Sequence, residues 1–285
     1  MTSAPIFSGR VILRGKYMKV AINNVLHRYV DIGIPNAAPV IFIHGFPFSH
    51  RMWMSPGGQT EVLSGSNRVI AYDVRGHGES EVGTGHYSVE FFVDDLIGLM
   101  DHLAIHKAIL CGLSMGGYIA LRFAERNPER LLGLILCDTR SEADGNEGKV
   151  KRAAAIRNVQ INGMKSYAAE SVKNLFAPES FDRKPDAVKL VQSLIERTAP
   201  LSIFGTLLAL ASRTDTTASL PAIKCPTLIM VGEKDMLTPP AASQSMHEKI
   251  PGSELYIIPN AAHLSNMENP EEFNKHLIEF VAKIK

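Results

Sequence analysis

One serine stands in a segment whose residue types fit nucleophilic chemistry. The pentapeptide G-L-S-M-G, residues 112–116, places Ser114 in a G-x-S-x-G pattern. An apolar run at residues 108–111 precedes it and a helical pattern follows it, which predicts a strand-to-helix turn with the serine at its tip. Such a turn forces strained backbone angles on the serine and requires neighbours without Cβ atoms. The pentapeptide also fits an ordinary Gly-Ser turn, but this context favours a nucleophile.

A serine hydroxyl must lose its proton as it attacks, and histidine is the side chain whose pKa suits that task near neutral pH. Of the 10 histidines, His263 is the best placed, because it follows the last predicted strand in the loop A-A-H-L-S. A plain surface-loop histidine is the alternative at this position. The histidines predicted in edge strands, helices or outer loops are expected to be solvated; they are His27, His50, His86, His102, His106, His247 and His276.

The third member should be a carboxylate that orients the imidazole and stabilises its charged form. Asp235 follows a predicted strand, precedes a Pro-Pro turn and lies between Ser114 and His263 in the chain. The order Ser, Asp, His is the one found in hydrolases with a nucleophile elbow. Asp138 also ends a strand behind the serine and competes for the role. Its other interpretation is that it caps the first helix of the following segment.

Acyl transfer also requires hydrogen-bond donors aimed at the oxyanion. The backbone N–H of Met115, at the start of the helix after the serine, is one natural donor. The second is expected from the loop after the strand 40–43, as the N–H of Phe46, with Gly45 allowing a close approach. His44 is interpreted mainly as a brace for this loop. The turn D-x-R-G-H-G-x-S, residues 73–80, is expected to brace the same loop, since it lacks a phosphate-binding pattern.

These residues follow strands that alternate with helices, which predicts a mostly parallel sheet with its ligand site beyond the carboxyl ends of the strands. Residues 141–217 contain no buried strand and are interpreted as a helical lid over that edge. We therefore expect a core in two parts, 1–139 and 218–285, with a cap at 140–217. Strand-like runs over 11–31, with turns at 14–16 and 23–24, are expected to edge the sheet. An amphipathic helix is predicted at 88–103, with Asp94 and Asp95 on its outer face.

The net charge and the spacing of the cysteines and potential metal ligands limit the classes of function that are expected. The chain has 285 residues and a formal net charge of +1, so electrostatics gives no argument for nucleic acid or an anionic membrane. The three cysteines lack C-x-x-C spacing, and no His, Asp or Glu set has metal-ligand spacing such as H-E-x-x-H. We expect no metal, no cofactor, no membrane span and a cytoplasmic protein, and a homo-oligomer is compatible with this composition.

Five ordered motifs together resemble the α/β-hydrolase superfamily: H-G-F-P, D-x-R-G-H-G-x-S, G-L-S-M-G-G, G-E-K-D-x-L-T-P-P and A-A-H-L-S-N-M-E-N-P-E-E-F. The match spans residues 11–285. The segments G-L-S-M-G-G-Y-I-A-L-R-F, C-D-T-R-S-E-A-D and H-L-S-N-M-E-N-P look most like 3-oxoadipate enol-lactonases and their esterase relatives. The resemblance implies an eight-stranded α/β-hydrolase fold with a helical cap. It also implies Ser114 as nucleophile, Asp235 as acid, His263 as base, and Phe46 and Met115 as oxyanion donors.

The function expected from these observations is a serine esterase or lactonase acting on small-molecule esters or lactones. A lactone with a carboxylate would need a cation from the cap, and the candidates are Arg140, Lys149, Lys151, Arg152 and Arg157. A carbon–carbon hydrolase of the same fold and a hydrolase-fold ligand receptor are the alternatives. A perhydrolase side reaction is also compatible with the resemblance.

Overall fold

A single eight-stranded sheet forms the centre of the molecule. The computed structural model describes residues 18–55 and 57–284. The strands are β1 (Met18–Ile22), β2 (Val25–Gly33), β3 (Pro39–Ile43), β4 (Arg68–Tyr72), β5 (Ala108–Leu113), β6 (Leu131–Cys137), β7 (Thr227–Gly232) and β8 (Glu254–Ile258). Their spatial order is β1-β2-β4-β3-β5-β6-β7-β8.

The direction of the strands decides where a site can form. β1 and β2 form an antiparallel hairpin, and β2 also pairs antiparallel with β4. All pairs from β4 to β8 are parallel. The carboxyl ends of β3 to β8 therefore lie at the same edge of the sheet, so the loops that follow these strands converge there.

Helices cover both faces of the sheet. Within the described residues they are α1 (Gln59–Ser64), α2 (Val89–His102), α3 (Met115–Arg126), α4 (Asn146–Leu175), α5 (Ser180–Arg183), α6 (Pro185–Arg197), α7 (Pro200–Ala211), α8 (Pro240–Lys249), α9 (Ser265–Glu268) and α10 (Pro270–Ala282). Ile41 and Ile43 pack with α2 and α3, whereas Val40 and Phe42 pack with α1 and α10. Alternate side chains of each strand therefore point to opposite faces of the sheet, and both faces are buried. This explains why the sequences of these strands are continuously apolar.

Four helices, α4 to α7, lie between β6 and β7. α4 is broken at Gly163, whose φ of 75° no longer continues the helix. The two ends of this segment meet, because the Thr216 N–H donates to the Ser141 carbonyl at 3.1 Å. On its inner side the Thr198 hydroxyl donates to the carbonyl of Pro47, at 3.3 Å, in the loop after β3. The segment therefore lies against the carboxyl-end edge of the sheet.

The predicted fold class is confirmed, and the strand predicted at 40–43 and the apolar run at 108–111 lie within β3 and β5. The turn at Asn23 and Asn24 is also confirmed, with φ of 48° and 60°. The predicted strand and turn at 11–16 lie outside the described residues. The division into 1–139, 140–217 and 218–285 stays a prediction.

Two predictions about polar residues are wrong. Asp95 is 1% exposed instead of lying on the outer face of α2, because Arg75 reaches it from the turn after β4 and forms an ion pair. His27 is also 1% exposed. Its strand β2 is paired on both sides, with β1 and β4, and is therefore not an edge strand of the sheet. His50 is buried to the same extent, and His276 is 9% exposed.

Among the described residues, no single helix has the length and hydropathy to cross a bilayer. Taken together, α6 and α7 pass that test by length and composition, with a 97° bend between them.

Candidate active site

Ser114 lies at a strained turn between β5 and α3. Its φ of 52° and ψ of −112° fall outside the regions that ordinary residues favour. Three contacts hold the turn: the Ser114 N–H donates to the Cys137 carbonyl at 2.9 Å, and the Ser114 carbonyl accepts from the N–H of Gly117 at 2.9 Å and from the Thr139 hydroxyl at 2.8 Å. The surroundings therefore fix the serine in a conformation that it would not adopt alone.

The glycines of the pentapeptide have a steric reason. A Cβ atom at Gly112 would overlap the carbonyl of Gly116, and a Cβ atom at Gly116 would overlap the carbonyl of Ile43. The first turn of α3 therefore packs directly against the ends of β5 and β3. This close packing brings Met115, the first residue of α3, beside the loop that follows β3.

His263 and Asp235 complete a hydrogen-bonded chain that begins at Ser114. The Ser114 Oγ lies 2.9 Å from His263 Nε2, and His263 Nδ1 lies 2.8 Å from Asp235 Oδ2. Since a carboxylate can only accept, Nδ1 carries the ring proton and Nε2 accepts from the serine hydroxyl. His263 and Asp235 are 3% and 1% exposed, whereas Ser114 is half-buried. The structure thus brings together the three residues that the sequence proposed.

The Asp235 carboxylate is held by more than the histidine. Its Oδ1 accepts from the N–H of Leu237 at 2.8 Å and from the N–H of Thr238 at 3.0 Å. Its Oδ2 accepts from the Thr238 hydroxyl at 2.6 Å as well as from His263. Sequence reasoning missed Thr238, although an aspartate in a turn commonly accepts from the backbone N–H two residues further along the chain, as Asp235 does from Leu237. The signal was present in the motif D-x-L-T.

Charge and burial oppose each other at these two side chains. Burial disfavours the imidazolium form of His263 and acts to lower its pKa. The carboxylate of Asp235, together with smaller contributions from Asp138 and Glu268, favours the imidazolium form more strongly, so the pKa of His263 is raised. Burial likewise disfavours the ionised form of Asp235. The charge and hydrogen bond of His263 and the donors of Thr238 favour that form more strongly, so the pKa of Asp235 is lowered. The pair is therefore built to stabilise a positive imidazole beside a negative carboxylate.

Asp138, the competing carboxylate, has other partners. Its Oδ1 accepts from the N–H of Gly232 at 2.8 Å and its Oδ2 from the Ser265 hydroxyl at 2.6 Å. Burial, followed by the nearby charge of Asp235, raises the pKa of Asp138 well above its ordinary value. The suggestion that it caps the next helix is wrong, because the residue preceding α4 is Gly145. Asp138 instead links the ends of β6 and β7 to α9.

The loop after β3 is rigidly braced. The Val74 N–H donates to His44 Nε2 at 3.0 Å, and His44 Nδ1 donates to the carbonyl of Gly45 at 2.8 Å. Burial lowers the pKa of His44 to about 4, so the ring is neutral and its tautomer is fixed by these partners. His44 thus lies where a brace is needed, one residue before Gly45 and two before Phe46. The oxyanion roles of Phe46 and Met115 stay predictions.

The turn 73–80 supports the same loop. Asp73 accepts from both the N–H and Nδ1 of His50, each at 2.7 Å, and from the N–H of Glu79 at 2.8 Å. His77 packs edge-on against Phe46, with ring centroids 5.9 Å apart. A Cβ atom at Gly78, where φ is 56°, would overlap the Asp73 carboxylate. These contacts agree with the structural role expected for the turn, and they explain why His50 is not solvated.

A cavity of about 770 Å³ opens between the helical segment and the core. Its wall includes Phe46 of the β3 loop, Tyr118 one turn along α3 from Ser114, and Leu237 two residues after Asp235. Leu175, whose carbonyl accepts from the N–H of His263 at 3.1 Å, also lines it. The cavity is thus bordered by neighbours of all three predicted catalytic residues, and its size suits a small organic molecule.

The cations proposed for a substrate carboxylate divide into two groups. Arg140, Lys151 and Arg152 line the cavity, whereas Lys149 and Arg157 are not part of its wall. Arg152 is paired with Asp144, so its charge is already compensated. Arg140 donates to the carbonyl of Leu237 at 2.8 Å.

The described part of the chain holds three cysteines besides its histidine and acidic side chains. No group of three or more His, Cys, Asp or Glu side chains there is arranged to hold a metal ion. Cys111 and Cys137 are buried free thiols with their sulfurs 3.9 Å apart, and Cys225 is a third free thiol. Burial raises the pKa of Cys137, which disfavours the reactive thiolate.

Comparison with known proteins identifies the family. The profile of the α/β-hydrolase fold matches residues 38–270. The chain therefore belongs to the α/β-hydrolase family.

Individual relatives agree with this assignment. The chain is 30% identical over 273 residues to 3-oxoadipate enol-lactonase 1 of Acinetobacter baylyi, covering 95% of each protein. A thermophilic esterase from Thermogutta terrifontis, solved with malate bound, superposes with a TM-score of 0.88 at 36% identity, over 94% of this chain and 99% of that one. The enol-lactonase from Burkholderia xenovorans LB400 superposes with a TM-score of 0.86 at 29% identity, over 93% and 100%. These similarities support a hydrolase.

Proposed function

We propose that this protein is a serine hydrolase that cleaves small carboxylic esters or lactones through an acyl-enzyme on Ser114. The observation that carries the proposal is the chain of two hydrogen bonds, 2.9 and 2.8 Å long, from Ser114 through His263 to Asp235. Each member meets the geometric requirement for its role: the base lies within reach of the nucleophile's proton, and the carboxylate orients the base.

The reaction divides into two steps. In the first, Ser114 Oγ attacks the substrate carbonyl carbon while its proton passes to His263 Nε2. The tetrahedral intermediate collapses, the carbon–oxygen bond to the leaving alcohol breaks, and His263 gives its proton to that oxygen. In the second, His263 takes a proton from water as its oxygen attacks the acyl carbon. This tetrahedral intermediate collapses, the bond from the acyl carbon to Ser114 Oγ breaks, and His263 gives its proton to Oγ, which releases the acid and the free serine. A lactone opens in the same way, with the alcohol still attached to the acyl group.

The oxyanion formed in each step would be bound by the backbone N–H groups of Met115 and Phe46. Met115 begins α3, so its N–H belongs to the unpaired positive end of the helix. The close contact of Gly116 with the end of β3 supports this pairing, since it brings the two loops together. Preorganised donors of this kind typically contribute about 10²–10³-fold each to kcat.

The substrate class follows from the cavity and from the relatives. The wall of the cavity of about 770 Å³ combines apolar residues such as Phe46 and Leu237 with charged residues such as Lys151, which suits a small molecule with an acyl group and a polar end. We propose that residues 140–217 act as a cap over this cavity. Two relatives are named as enol-lactonases and one as an esterase, which supports esters and lactones as the substrate class.

The direct test is hydrolysis of short-chain p-nitrophenyl esters and of γ- and δ-lactones by the purified protein. Many turnovers per protein are expected, and the Ser114→Ala variant should keep its melting temperature while losing the activity. A carbon–carbon hydrolase would instead act on vinylogous diketones and leave the esters untouched. A ligand receptor would give one slow event with the product retained, so multiple turnover of esters or lactones distinguishes the proposed hydrolase from both alternatives.

A further inference from the structure

The linker between α4 and α5, defined as residues 175–180 with the adjoining helix ends, contacts both loops that carry the predicted acid and base. The N–H of His263 donates to the Leu175 carbonyl at 3.1 Å. On the solvent side, Lys234, which precedes Asp235, pairs with Glu179 at 2.9 Å. The position of this linker is therefore tied to the position of the imidazole.

One buried carboxylate makes the stronger connection. Glu268, at the end of α9, is 5% exposed. Its Oε1 accepts from the N–H of Ala262, the residue before His263, at 2.7 Å. Its Oε2 accepts from the N–H of Ala177 at 2.7 Å and from the Ser180 hydroxyl at 2.5 Å. The two oxygens of one side chain thus hold the histidine loop and the linker together.

The chemistry of this contact is demanding. Burying a carboxylate is costly unless its oxygens are hydrogen-bonded, and here each oxygen meets donors. A glutamine would place its NH₂ group against an N–H on one of the two sides, and an aspartate is one methylene shorter. Only a glutamate of this length satisfies both segments, which indicates a requirement beyond filling space.

We propose that Glu268 is a positioning residue that holds the His263 loop against the α4–α5 linker, so that docking of the helical segment keeps the imidazole aligned between Ser114 and Asp235. This inference rests on the proposed function, because the alignment has meaning only for proton transfer. Glu268 acts through Ala262 and the backbone and does not touch the reacting atoms.

The test compares Glu268→Gln with Glu179→Gln, which removes a carboxylate from the same linker on its exposed side. Steady-state hydrolysis of a p-nitrophenyl ester is measured with the full chain. Because displacement of a catalytic group by about 1 Å can cost about 10²-fold, kcat of Glu268→Gln should fall about 10–100-fold. KM should change less than about twofold, since transition-state alignment alone is lost. Glu179→Gln should keep both parameters, because its ion pair with Lys234 is exposed to solvent and contributes little to holding the loop.

Two further readouts separate positioning from loss of stability. Three carboxylates face His263, those of Asp235, Asp138 and Glu268, and together they raise the pKa of His263 against its burial. Removing the Glu268 charge should move the acid limb of the pH profile of kcat/KM to lower pH. Ser180→Ala, which removes one donor and keeps the fold, should lower kcat by about threefold, and its effect should be lost in the Glu268→Gln background.

Unchanged kcat in Glu268→Gln, or additive effects of the Ser180 and Glu268 substitutions, would overturn the inference. So would a fall in activity that is matched by the unfolded fraction while the acid limb stays in place. Failure of the proposed function has a different signature: the wild-type protein would not turn over esters or lactones, or Ser114→Ala would retain its activity.

Discussion

A buried aspartate follows each of two neighbouring strands, β6 and β7, and the pKa values of the two carboxylates are shifted in opposite directions. Asp235 follows β7, bonds to His263 and has a lowered pKa. Asp138 follows β6, bonds to Gly232 and Ser265, and has a raised pKa. Burial acts on both in the same direction, so the difference comes from their partners. Only Asp235 forms a hydrogen bond with the side chain that becomes positively charged, His263.

Placement after a parallel strand is therefore not sufficient to bring an aspartate into contact with the imidazole. Asp138 serves the site indirectly, because its hydrogen bond to Ser265 ties β6 to the start of α9, two residues after His263. Because its raised pKa disfavours the charged carboxylate, Asp138 is better suited to structural hydrogen bonds in a buried site than to stabilising an imidazolium. The predictions below test this division of roles.

The largest effect is expected at the nucleophile and base. His263→Ala and Ser114→Ala should each lower kcat by about 10⁶-fold, because neither residue can work without the other. For the same reason the double variant should lose little more than either single variant. Single-turnover and steady-state hydrolysis of a p-nitrophenyl ester measure these losses. Independent, multiplying losses would contradict a coupled pair.

The two aspartates should separate clearly. Asp235→Asn should lower kcat by about 10⁴-fold, because an amide favours the wrong imidazole tautomer and cannot stabilise imidazolium. Asp138→Asn should lower it by less than about tenfold, since an amide oxygen can still accept from the N–H of Gly232 and the Ser265 hydroxyl can reorient. Equal losses measured in the same ester assay would mean that the roles have been assigned wrongly.

Removing the Asp138 side chain should act on stability. Asp138→Ala leaves the buried N–H of Gly232 and the hydroxyl of Ser265 without their acceptor. An unsatisfied buried group costs about 1–3 kcal/mol, so the free energy of unfolding should fall by at least that amount. Urea denaturation followed by circular dichroism measures it, with Asp138→Asn as the matched control that keeps an acceptor. A variant as stable as wild type would show that these hydrogen bonds contribute nothing.

Thr238 provides a smaller test of how Asp235 is held. Thr238→Val removes the hydroxyl that donates to Asp235 Oδ2 at 2.6 Å and keeps the shape of the side chain. The carboxylate keeps its backbone donors, so we expect kcat to fall by about tenfold or less. Ester hydrolysis at saturating substrate measures this loss. A loss as large as that of Asp235→Asn would assign the hydroxyl a direct part in the reaction.

The last test is the pH dependence. His263 must be neutral to accept the serine proton, and its pKa is raised, so kcat/KM should fall as the pH drops through a value above the ordinary histidine pKa of about 6.5. In Asp235→Asn the residual activity should have its acid limb at lower pH, because the carboxylate that raises this pKa is gone. In Asp138→Asn the limb should move less. A limb insensitive to Asp235 would contradict the electrostatic account.

Much of the fold and of the site was predictable because it depends on local patterns. The buried strands were visible as short apolar runs, and the G-x-S-x-G turn was visible because its glycines meet backbone atoms of the adjacent helix and strand. The order of Ser114, Asp235 and His263 and their places after strands were likewise readable, since parallel strands bring their carboxyl ends to one edge.

Other features were decided only by the tertiary structure. Asp138 and Asp235 both follow strands, and chain order favours Asp235, but the contact of Asp235 with His263 forms only after β6, β7 and the last loop are assembled. Glu268 shows the same limit, because its partners Ala177, Ser180 and Ala262 lie 91, 88 and 6 residues away and meet only when α4 docks on the core. Sequence patterns indicate the periodicity of a single helix or strand and the residues at which it begins and ends. The charge state of a buried side chain depends on which donors the packed elements bring to it, and that is a property of the whole fold.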